Sequence, residues 1–409
     1  MVKIAVMGHG VVGSGVAELL RKNAAHIAAK AGEEIVLERV LDLREFPDLP
    51  YADKFTKHFS DILNDPAIQI VVETMGGLTP AYDYVKACLL AGKSVVTSNK
   101  ELVAQKGDEL LAIAREKGLN FLFEASVGGG IPVLRPLDQC LAANEVSEVA
   151  GILNGTTNFM LTRMIEDGMQ FEEALALAQK RGYAERDPSA DIDGLDACRK
   201  ICILASLAFG KHVYPAQVRT EGIRQVTLTD VRLADALGGV IKLIGKAVRD
   251  GEHVSCAVAP MIVPKEHLLS DVRDVFNAIL VRGDAIGDVV FYGRGAGKLP
   301  TASAVLADVI DEVKHLRARK YLCWEAGAPD YATDYGLRPV KMLLRVRADA
   351  DRKADIAAAF GDIAFVDCDA LPQNELAFLT NAVTEKELRD ALAAVAGIEL
   401  VSRLRLAEL

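Results

Sequence analysis

The chain has 409 residues, 51% of them apolar and 25% charged, with a formal net charge of −10 at pH 7. This length favours two or three domains and the composition is that of a globular protein. The acidic balance argues against a nucleic-acid binder, and no run of about 18 apolar residues predicts a membrane span. Seven scattered cysteines without a C-x-x-C motif favour buried thiols and a cytoplasmic location.

The N-terminal stretch predicts a dinucleotide site. Residues 2–7 form a short apolar strand with no signal-peptide architecture, and a glycine motif and a helix through about Lys30 follow at once. In this context G-x-G-x-x-G permits a tight turn, close approach of a pyrophosphate and tight helix–strand packing, although a purely structural glycine turn is the alternative. The predicted cofactor contacts here are Gly8, Gly10, Val11, Val12 and Gly13.

The second strand, 35–41, carries opposing signals for the choice of cofactor. Asp42 at its end would hydrogen-bond a ribose 2′-hydroxyl and favour NAD, whereas Arg44 would accept a 2′-phosphate and favour NADP. The spacing from Gly13 also exceeds the usual distance of about 20 residues. Both residues are candidate cofactor contacts, and the sequence leaves NAD and NADP open.

Strands and helices then alternate as far as Glu124, with apolar strands at 68–73, 93–97 and 119–124. This pattern predicts an α/β, Rossmann-type doubly wound parallel sheet in a dinucleotide-binding domain over residues 1–130. Ligands of such sheets bind beyond the carboxyl ends of the strands, which makes Thr74, Ser98 and Lys100 candidate contacts. A second glycine cluster, 124–132, predicts either a hinge or an oxygen-ligated cation site that includes Glu124.

The most distinctive stretch runs from Gly182 to Lys200, with five carboxylates ahead of one lysine. Its Gly and Pro residues predict a loop over 185–193, and a helix follows from Leu195. Asp196 and Lys200 are i and i+4 on that helix and therefore adjacent. An isolated pair of this kind is most often a solvated ion pair, but the preceding acids favour a polar small-molecule site.

The remaining pattern predicts two further domains. Strands at 149–153, 240–248, 253–263 and 289–292 suggest an antiparallel sheet with helices on one face, an α+β substrate and dimerisation domain over residues 131–294. The glycine run 293–297 opens a helix, about 295–318, that we expect to return to the first domain. Residues 319–339 are typical of a linker, and residues 340–409 predict a ferredoxin-like βαββαβ unit.

These motifs, in this order, resemble the homoserine dehydrogenase family over essentially the whole chain. The family signature A-x3-G-Y…D-P-x2-D-I-x-G-x-D-x3-K matches residues 178–200, and the blocks 97–100, 124–132 and 151–158 are similar to family blocks. The resemblance implies NAD(P)-dependent interconversion of L-aspartate 4-semialdehyde and L-homoserine, on the route to threonine and methionine. It also implies a C-terminal ACT-like domain and a homodimer or homotetramer.

The resemblance further implies roles for individual residues. Lys200 would be the proton donor and acceptor, and Lys100 a second essential lysine near nicotinamide and substrate. Gly182 and Gly297 align with cofactor contacts, and Glu124 with the carbonyls of Val127, Gly129 and Ile131 would hold a monovalent, sodium-like cation. The implied substrate contacts are Glu185, Asp196, Asp191, Tyr183, Gly155 and Thr156.

Two departures from the family pattern affect these expectations. Many members have an arginine just before the acid that ends the second strand, where Leu41 stands here, so NAD use gains support. The effector loop of the ACT domain often reads D-x-P-G-V-L-A, and its equivalent here, 351–357, lacks the Pro and Gly. Whether this domain binds threonine or another effector is therefore left open by the sequence.

Two rival functions are weighed against this interpretation. Another semialdehyde dehydrogenase of the acylating type needs a nucleophilic cysteine in a polar setting, which the apolar surroundings of Cys88 and Cys140 fit badly. A dinucleotide-binding redox sensor would bind the cofactor without turnover.

Overall fold

The structure is a computed structural model that describes residues 1–316, 318 and 322–409. The strands are β1 Val2–Met7, β2 Ile35–Leu41, β3 Phe55–Thr56, β4 Ile68–Glu73, β5 Ser94–Thr97, β6 Phe121–Leu122, β7 Val146–Ile152, β8 Arg219–Thr220, β9 Gly239–Asp250, β10 His253–Pro264, β11 Phe276–Gly283, β12 Gly287–Arg294, β13 Ala332–Thr333, β14 Met342–Arg347, β15 Ala364–Phe365, β16 Glu375–Leu379 and β17 Glu399–Leu406. The helices are α1 Val11–Lys22, α2 Ala24–Ala31, α3 Ser60–Leu63, α4 Ala81–Leu90, α5 Lys100–Lys117, α6 Gly155–Asp167, α7 Phe171–Lys180, α8 Ser189–Ile192, α9 Leu195–Phe209, α10 Leu228–Ala236, α11 Lys298–Lys314, α12 Lys353–Phe360 and α13 Glu385–Ala394.

The chain divides into two compact units. The first unit comprises residues 1–146, 202–215 and 282–328, and the second comprises residues 147–201, 216–281 and 329–409. Helix α9 contributes its residues up to Ile201 to the second unit and the rest to the first. The segment interpreted as a linker, 319–339, lies partly outside the described residues. In its described part Trp324 and Tyr331 are buried.

The first unit contains the predicted Rossmann-type sheet. Its strand order is β3-β2-β1-β4-β5-β6 and every pairing is parallel. The order reverses direction between β1 and β4, which is the point where such sheets bind ligands. Helix α11 belongs to this unit and lies against α1, where a Cβ on Gly15 would be 2.9 Å from the Lys298 carbonyl oxygen.

The first unit also holds the single tryptophan of the chain. The Trp324 indole N–H donates to Nδ1 of His212 at 2.8 Å, and Nε2 of His212 lies 3.0 Å from the Ala104 carbonyl oxygen in α5. Burial lowers the pKa of His212. The imidazole is therefore neutral near pH 7, with the proton on Nε2.

The second unit is built on a mixed sheet in the order β11-β7-β9-β10-β17-β14-β16-β15. Strands β9 and β10 form the predicted antiparallel hairpin around Asp250 and Gly251. The prediction of an antiparallel sheet was incomplete, because β8, β13 and β17 all pair with β10 in parallel. These partners come from distant segments, so the local turn signals gave no indication of them.

The C-terminal residues form four strands and two helices in the order β14-α12-β15-β16-α13-β17. The strands lie in the spatial order β17-β14-β16-β15, and neighbouring strands are antiparallel. A separate apolar core supports them, with Met342, Leu344, Ile356, Phe378 and Leu388 among its buried members.

A network of ion pairs fixes β17 within the second unit. Arg405, 2% exposed, donates to Glu221 at 2.8 Å and to Glu385 at 2.6 Å, and Arg403 donates to Glu221 at 3.0 Å. Burial alone would raise the pKa of Glu221, but the arginines outweigh that effect and lower the pKa to about 2. A carboxyl with a lowered folded-state pKa stabilises the fold above its unfolded-state pKa of about 4.3, and this contribution is lost as pH falls towards 2.

Replacing Glu221 with Gln should therefore lower the free energy of unfolding at pH 7 by about 3 kcal/mol, because buried Arg405 loses one of its two carboxylate partners. Denaturant titrations between pH 7 and pH 2 should show the difference from wild type shrinking below about pH 4.3. Glu45→Gln, which removes an exposed partner of Lys57, should change stability by less than about 0.5 kcal/mol. A difference that is constant across the pH range would contradict the assignment.

Candidate active site

The glycine motif between β1 and α1 has the geometry of a phosphate-binding turn. Gly8 has a φ of +93°, and a Cβ on Gly13 would lie 1.9 Å from the Gly8 carbonyl oxygen. Gly10 is the N-cap of α1, and among the described residues no atom outside its immediate chain neighbours lies within 4 Å of the Cβ position. The first and third glycines are thus required by the fold, whereas the second leaves open space at the helix N-terminus.

Asp42 and Arg44 form one hydrogen-bonded group at the end of β2. Asp42 accepts from the backbone N–H of His9 at 2.7 Å and from the Arg44 guanidinium at 2.9 Å. Arg44 also donates to the His9 carbonyl at 3.0 Å, although its side chain is 62% exposed. The hydrogen bond from Arg44 keeps the pKa of Asp42 far below its usual range, even though burial opposes that shift. The two residues that give opposing cofactor signals are therefore in direct contact.

Beyond β4 and β5, buried polar groups order the loops of the same unit. Thr74 donates to the Gly8 carbonyl at 2.9 Å. Fully buried Glu73 accepts from the Met75 amide at 2.7 Å, and burial raises its pKa. Ser98 lies just beyond β5. Asn99 caps α5, so that Lys100 is its first residue. A capping signal at Asn99 was present in the sequence.

The second glycine cluster forms a folded turn in the first unit. Both carboxylate oxygens of Glu124 accept backbone N–H groups, from residues 133 to 135, at 2.7–2.9 Å. Any contribution of Glu124 to a cation site would thus come from its main chain. In the described part of the chain, the carbonyl oxygens of Val127, Gly129 and Ile131 accept no hydrogen bond. Gly129 lies against Gly295, and Gly297, with φ +126°, is the N-cap of α11.

Lys200 and Asp196 form a buried ion pair in the second unit. Their side chains are 8% and 4% exposed, and the Lys200 ammonium lies 2.8 Å from Asp196 Oδ2. The same ammonium donates to the Leu153 carbonyl at 2.7 Å, just after β7. The solvated ion pair that the spacing alone favoured is therefore excluded, because both groups are removed from water.

Sequence reasoning missed the side chain that joins these groups to the start of α6. Asn154, 4% exposed, donates to Asp196 at 2.9 Å and to Asp191 at 2.7 Å. Its side-chain oxygen accepts the backbone N–H of Thr157 at 2.8 Å and so caps α6. The capping signal was recognisable in the sequence, but the contacts with two distant acids depend on tertiary structure.

The prediction of a loop over residues 185–193 was incomplete. This segment contains the short helix α8, Ser189–Ile192. Asp187 accepts from the Ser189 amide at 3.1 Å, and Pro188 precedes the helix, which together favour a helical turn. Asp191 lies in α8. Glu185 is exposed and Gly182 has a φ of +73°.

Of the two residues at the start of α6, Thr156 contacts the segment before α8 and Gly155 lies against Val275. The Thr156 hydroxyl donates to the Tyr183 carbonyl at 2.7 Å, and the Tyr183 ring meets the ring of Phe159 edge-on at 5.0 Å between centroids. A Cβ on Gly155 would lie 2.8 Å from the Val275 carbonyl oxygen, so only glycine fits there. The second unit thus places Asp196 beside Lys200, joins Asp191 to Asp196 through Asn154, and ties Tyr183 to Thr156.

Within residues 1–316, 318 and 322–409, no group of three or more His, Cys, Asp or Glu side chains is arranged to hold a metal ion. In the same residues, no helix has the length and apolar character needed to cross a membrane.

Comparison with known proteins supports the sequence resemblance. The family profile "Homoserine dehydrogenase" matches residues 132–310, and "Homoserine dehydrogenase, NAD binding domain" matches residues 8–124. A homoserine dehydrogenase from Pseudomonas aeruginosa is 38% identical over 98% of this chain and 96% of its own length. One from Synechocystis sp. is 46% identical over 76% of this chain and 73% of its own length.

Solved structures agree with these matches. The crystal structure of a homoserine dehydrogenase from Thiobacillus denitrificans superposes with a TM-score of 0.91 at 37% identity, covering 99% of this chain and 98% of that chain. A hyperthermophilic archaeal homoserine dehydrogenase in complex with NADPH has a TM-score of 0.65 at 26% identity, covering 76% of this chain and 97% of that chain.

Proposed function

Since this chain belongs to the homoserine dehydrogenase family, we propose that it interconverts L-aspartate 4-semialdehyde and L-homoserine with Lys200 as the proton donor and acceptor. The observation that carries the proposal is the position of the Lys200 ammonium, held by Asp196 and the Leu153 carbonyl away from water. A lysine fixed in this way presents a cation and a transferable proton at one defined point.

Lys200 acts on the oxygen of the reacting carbon. Reduction of the aldehyde places negative charge on that oxygen, and a fixed cation stabilises the charge as it develops. Lys200 then donates its proton to form the hydroxyl group of homoserine, and in the oxidative direction it accepts that proton. Asp196 orients the ammonium throughout. A bound nicotinamide supplies the hydride in one direction and accepts it in the other.

The amino-acid end of the substrate needs acceptors for its ammonium and donors for its carboxylate. Asp191 and Glu185 supply carboxylates for the ammonium group. The backbone amides of Gly155 and Thr156, at the N-terminus of α6, attract the carboxylate through the helix dipole. Tyr183 encloses this end of the substrate, since its backbone is tied to Thr156.

In the first unit, the glycine turn and the loops beyond β4 and β5 bind the cofactor. The helix N-terminus of α1 holds the pyrophosphate at Gly10 and its neighbours, and Asp42 and Arg44 lie where the adenosine ribose binds in this fold. Lys100, in the same unit, is proposed as the second essential lysine that the family resemblance implies. The remaining proposed contacts in this unit are Gly8, Val11, Val12, Gly13, Thr74, Ser98 and Gly297. Gly182, which belongs to the second unit, is proposed from the family resemblance alone.

We expect Arg44 to decide whether NADP is accepted. Replacing Arg44 with Ala should raise KM for NADP about tenfold, equivalent to about 1.4 kcal/mol, and leave KM for NAD nearly unchanged, because only a 2′-phosphate takes the guanidinium as a partner. Steady-state kinetics with both cofactors measure the effect. Lys54→Ala, which removes a lysine paired with Asp53, is the control. An equal change in both KM values would contradict this role.

A monovalent cation is proposed at the turn 124–131. The carbonyl oxygens of Val127, Gly129 and Ile131, with the main-chain carbonyl of Glu124, supply the hard oxygen ligands that such a cation prefers. Within the described part of the chain, the first three of these oxygens accept no hydrogen bond, which supports the proposal. A thermal stability identical in sodium, potassium and tetramethylammonium salts at equal ionic strength would count against it.

The C-terminal residues are proposed to form an ACT-like domain in a dimeric or tetrameric protein. The strand order β17-β14-β16-β15 supports this assignment, since it is the order 4-1-3-2 of a ferredoxin-like unit. The altered segment 351–357 argues against inhibition by threonine. Light scattering tests the oligomeric state, and a monomer would overturn that proposal. Rate measurements with added threonine test the effector statement, and inhibition by threonine would overturn it.

A direct assay tests the proposed function. Purified protein with L-homoserine and either NAD or NADP should increase absorbance at the reduced-nicotinamide band, and the product should be the semialdehyde. Folded protein that binds the cofactor but turns over neither pair would favour the redox-sensor alternative and reject the main proposal.

A further inference from the structure

We infer that Asn154 is a positioning residue for both ends of the bound substrate, the reacting carbon and the amino-acid group. It holds the carboxylate partner of Lys200 and the carboxylate for the substrate ammonium in one hydrogen-bonded group. The inference rests on the proposed function and adds to it a residue that does not itself touch substrate.

The partners of the Asn154 side chain fix the orientation of its amide. The Thr157 backbone N–H can only donate, so the Asn154 atom 2.8 Å away must be oxygen. The Asp191 and Asp196 carboxylates can only accept when ionised, so the atom that contacts both must be nitrogen. The surroundings therefore leave a single assignment of the amide, with each N–H directed at a different carboxylate.

Asn154 and Lys200 donate to the same carboxylate oxygen of Asp196. Asp196 Oδ2 accepts from Asn154 at 2.9 Å and from the Lys200 ammonium at 2.8 Å. Two donors on one oxygen fix the carboxylate in direction as well as in distance. Without the amide, Asp196 Oδ2 would lose one of these two donors, and the carboxylate and the ammonium that it holds would be less firmly oriented.

Asn154 also lies between two carboxylates that repel each other, those of Asp191 and Asp196. Asp191 on α8 and Asp196 on α9 both lie within hydrogen-bond distance of the same nitrogen. Two carboxylates this close repel each other, and the amide N–H groups stand between them. Asn154 thus allows a substrate-binding acid and the partner of the proton donor to be neighbours.

The two polar atoms of the Asn154 amide have different roles, one structural and one functional. Its oxygen caps α6, and its nitrogen holds the two acids. Serine is as good an N-cap residue as asparagine, but its single hydroxyl cannot cap the helix and bridge both carboxylates. The variant Asn154→Ser therefore removes the functional half and keeps the structural half.

Asn154→Ser should lower kcat about 100-fold, because a displacement of about 1 Å at the reacting groups costs about that much. KM for L-homoserine should rise about tenfold, KM for the cofactor should be unchanged, and Tm should fall by a few degrees, because the two carboxylates lose their shared donor. Asn154→Asp keeps the cap but adds a third carboxylate, so it should be at least as inactive. Thr384→Ala, which removes the N-cap of α13, should lower Tm without changing kcat.

The outcomes separate the inference from the function on which it rests. Wild-type protein without turnover would overturn both. An active wild type with an unchanged Asn154→Ser variant would overturn the inference alone. A variant whose kcat falls only in proportion to its loss of folded protein, measured by circular dichroism in the same samples, would assign Asn154 to helix capping and also overturn it.

Discussion

Replacing Lys200 with Ala should lower kcat for homoserine oxidation by a factor of about 100 to 10,000, the range that general acid–base catalysis contributes. The physical reason is that the fixed ammonium is both the proton acceptor and the group that stabilises charge on the substrate oxygen. Initial rates at saturating cofactor measure the effect, and the cofactor dissociation constant should be unchanged.

The same replacement leaves the Asp196 carboxylate, 4% exposed, without its cation, and this costs stability as well as activity. Lys200→Arg separates the two effects. Arginine preserves the ion pair, so Tm should stay near wild type, but it is not deprotonated in proteins and cannot accept the proton. Arg224→Ala, which removes an exposed partner of Asp193, is the control. A Lys200→Ala enzyme within threefold of the wild-type kcat would refute the assignment.

Gly13→Ala and Gly10→Ala should both weaken cofactor binding, but only Gly13→Ala should also destabilise the fold. A Cβ on Gly13 would lie 1.9 Å from a backbone oxygen and 2.7 Å from the Thr74 hydroxyl, and neither atom can move without distorting β1 or its neighbour. We expect Gly13→Ala to lose about 3 kcal/mol or more of stability, together with cofactor binding.

Gly10→Ala has free space for its methyl group and an ordinary φ of −78°. The variant should therefore keep the wild-type Tm. Its cofactor dissociation constant should rise at least about tenfold, because the methyl group occupies the approach of the pyrophosphate. Calorimetric titration and thermal melts measure both quantities. Normal cofactor binding by Gly10→Ala would move the phosphate site elsewhere.

The sequence was sufficient to predict the Rossmann-type sheet and the pairing of Asp196 with Lys200. Both depend on local signals, namely apolar strands alternating with helices, a glycine motif in its proper context, and the i,i+4 spacing on a helix. Residues that are close in sequence carry these patterns, so no tertiary information was needed.

Features that depend on distant residues could not be predicted in the same way. The amide of Asn154 meets acids 37 and 42 positions away, and β10 takes parallel partners from three separate segments. The helix α8 was hidden because the Gly and Pro residues around it are typical of loops. In each case, tertiary packing selects one of several structures that the local sequence allows.

The hydrogen bond between Trp324 and His212 allows intrinsic tryptophan fluorescence to report on the surroundings of His212. All tryptophan emission comes from one buried indole, so a change in fluorescence reports on its surroundings in the first unit alone. The same imidazole contacts α5, the helix that begins with Lys100. Emission recorded during cofactor titration can thus follow events around this helix without any added label.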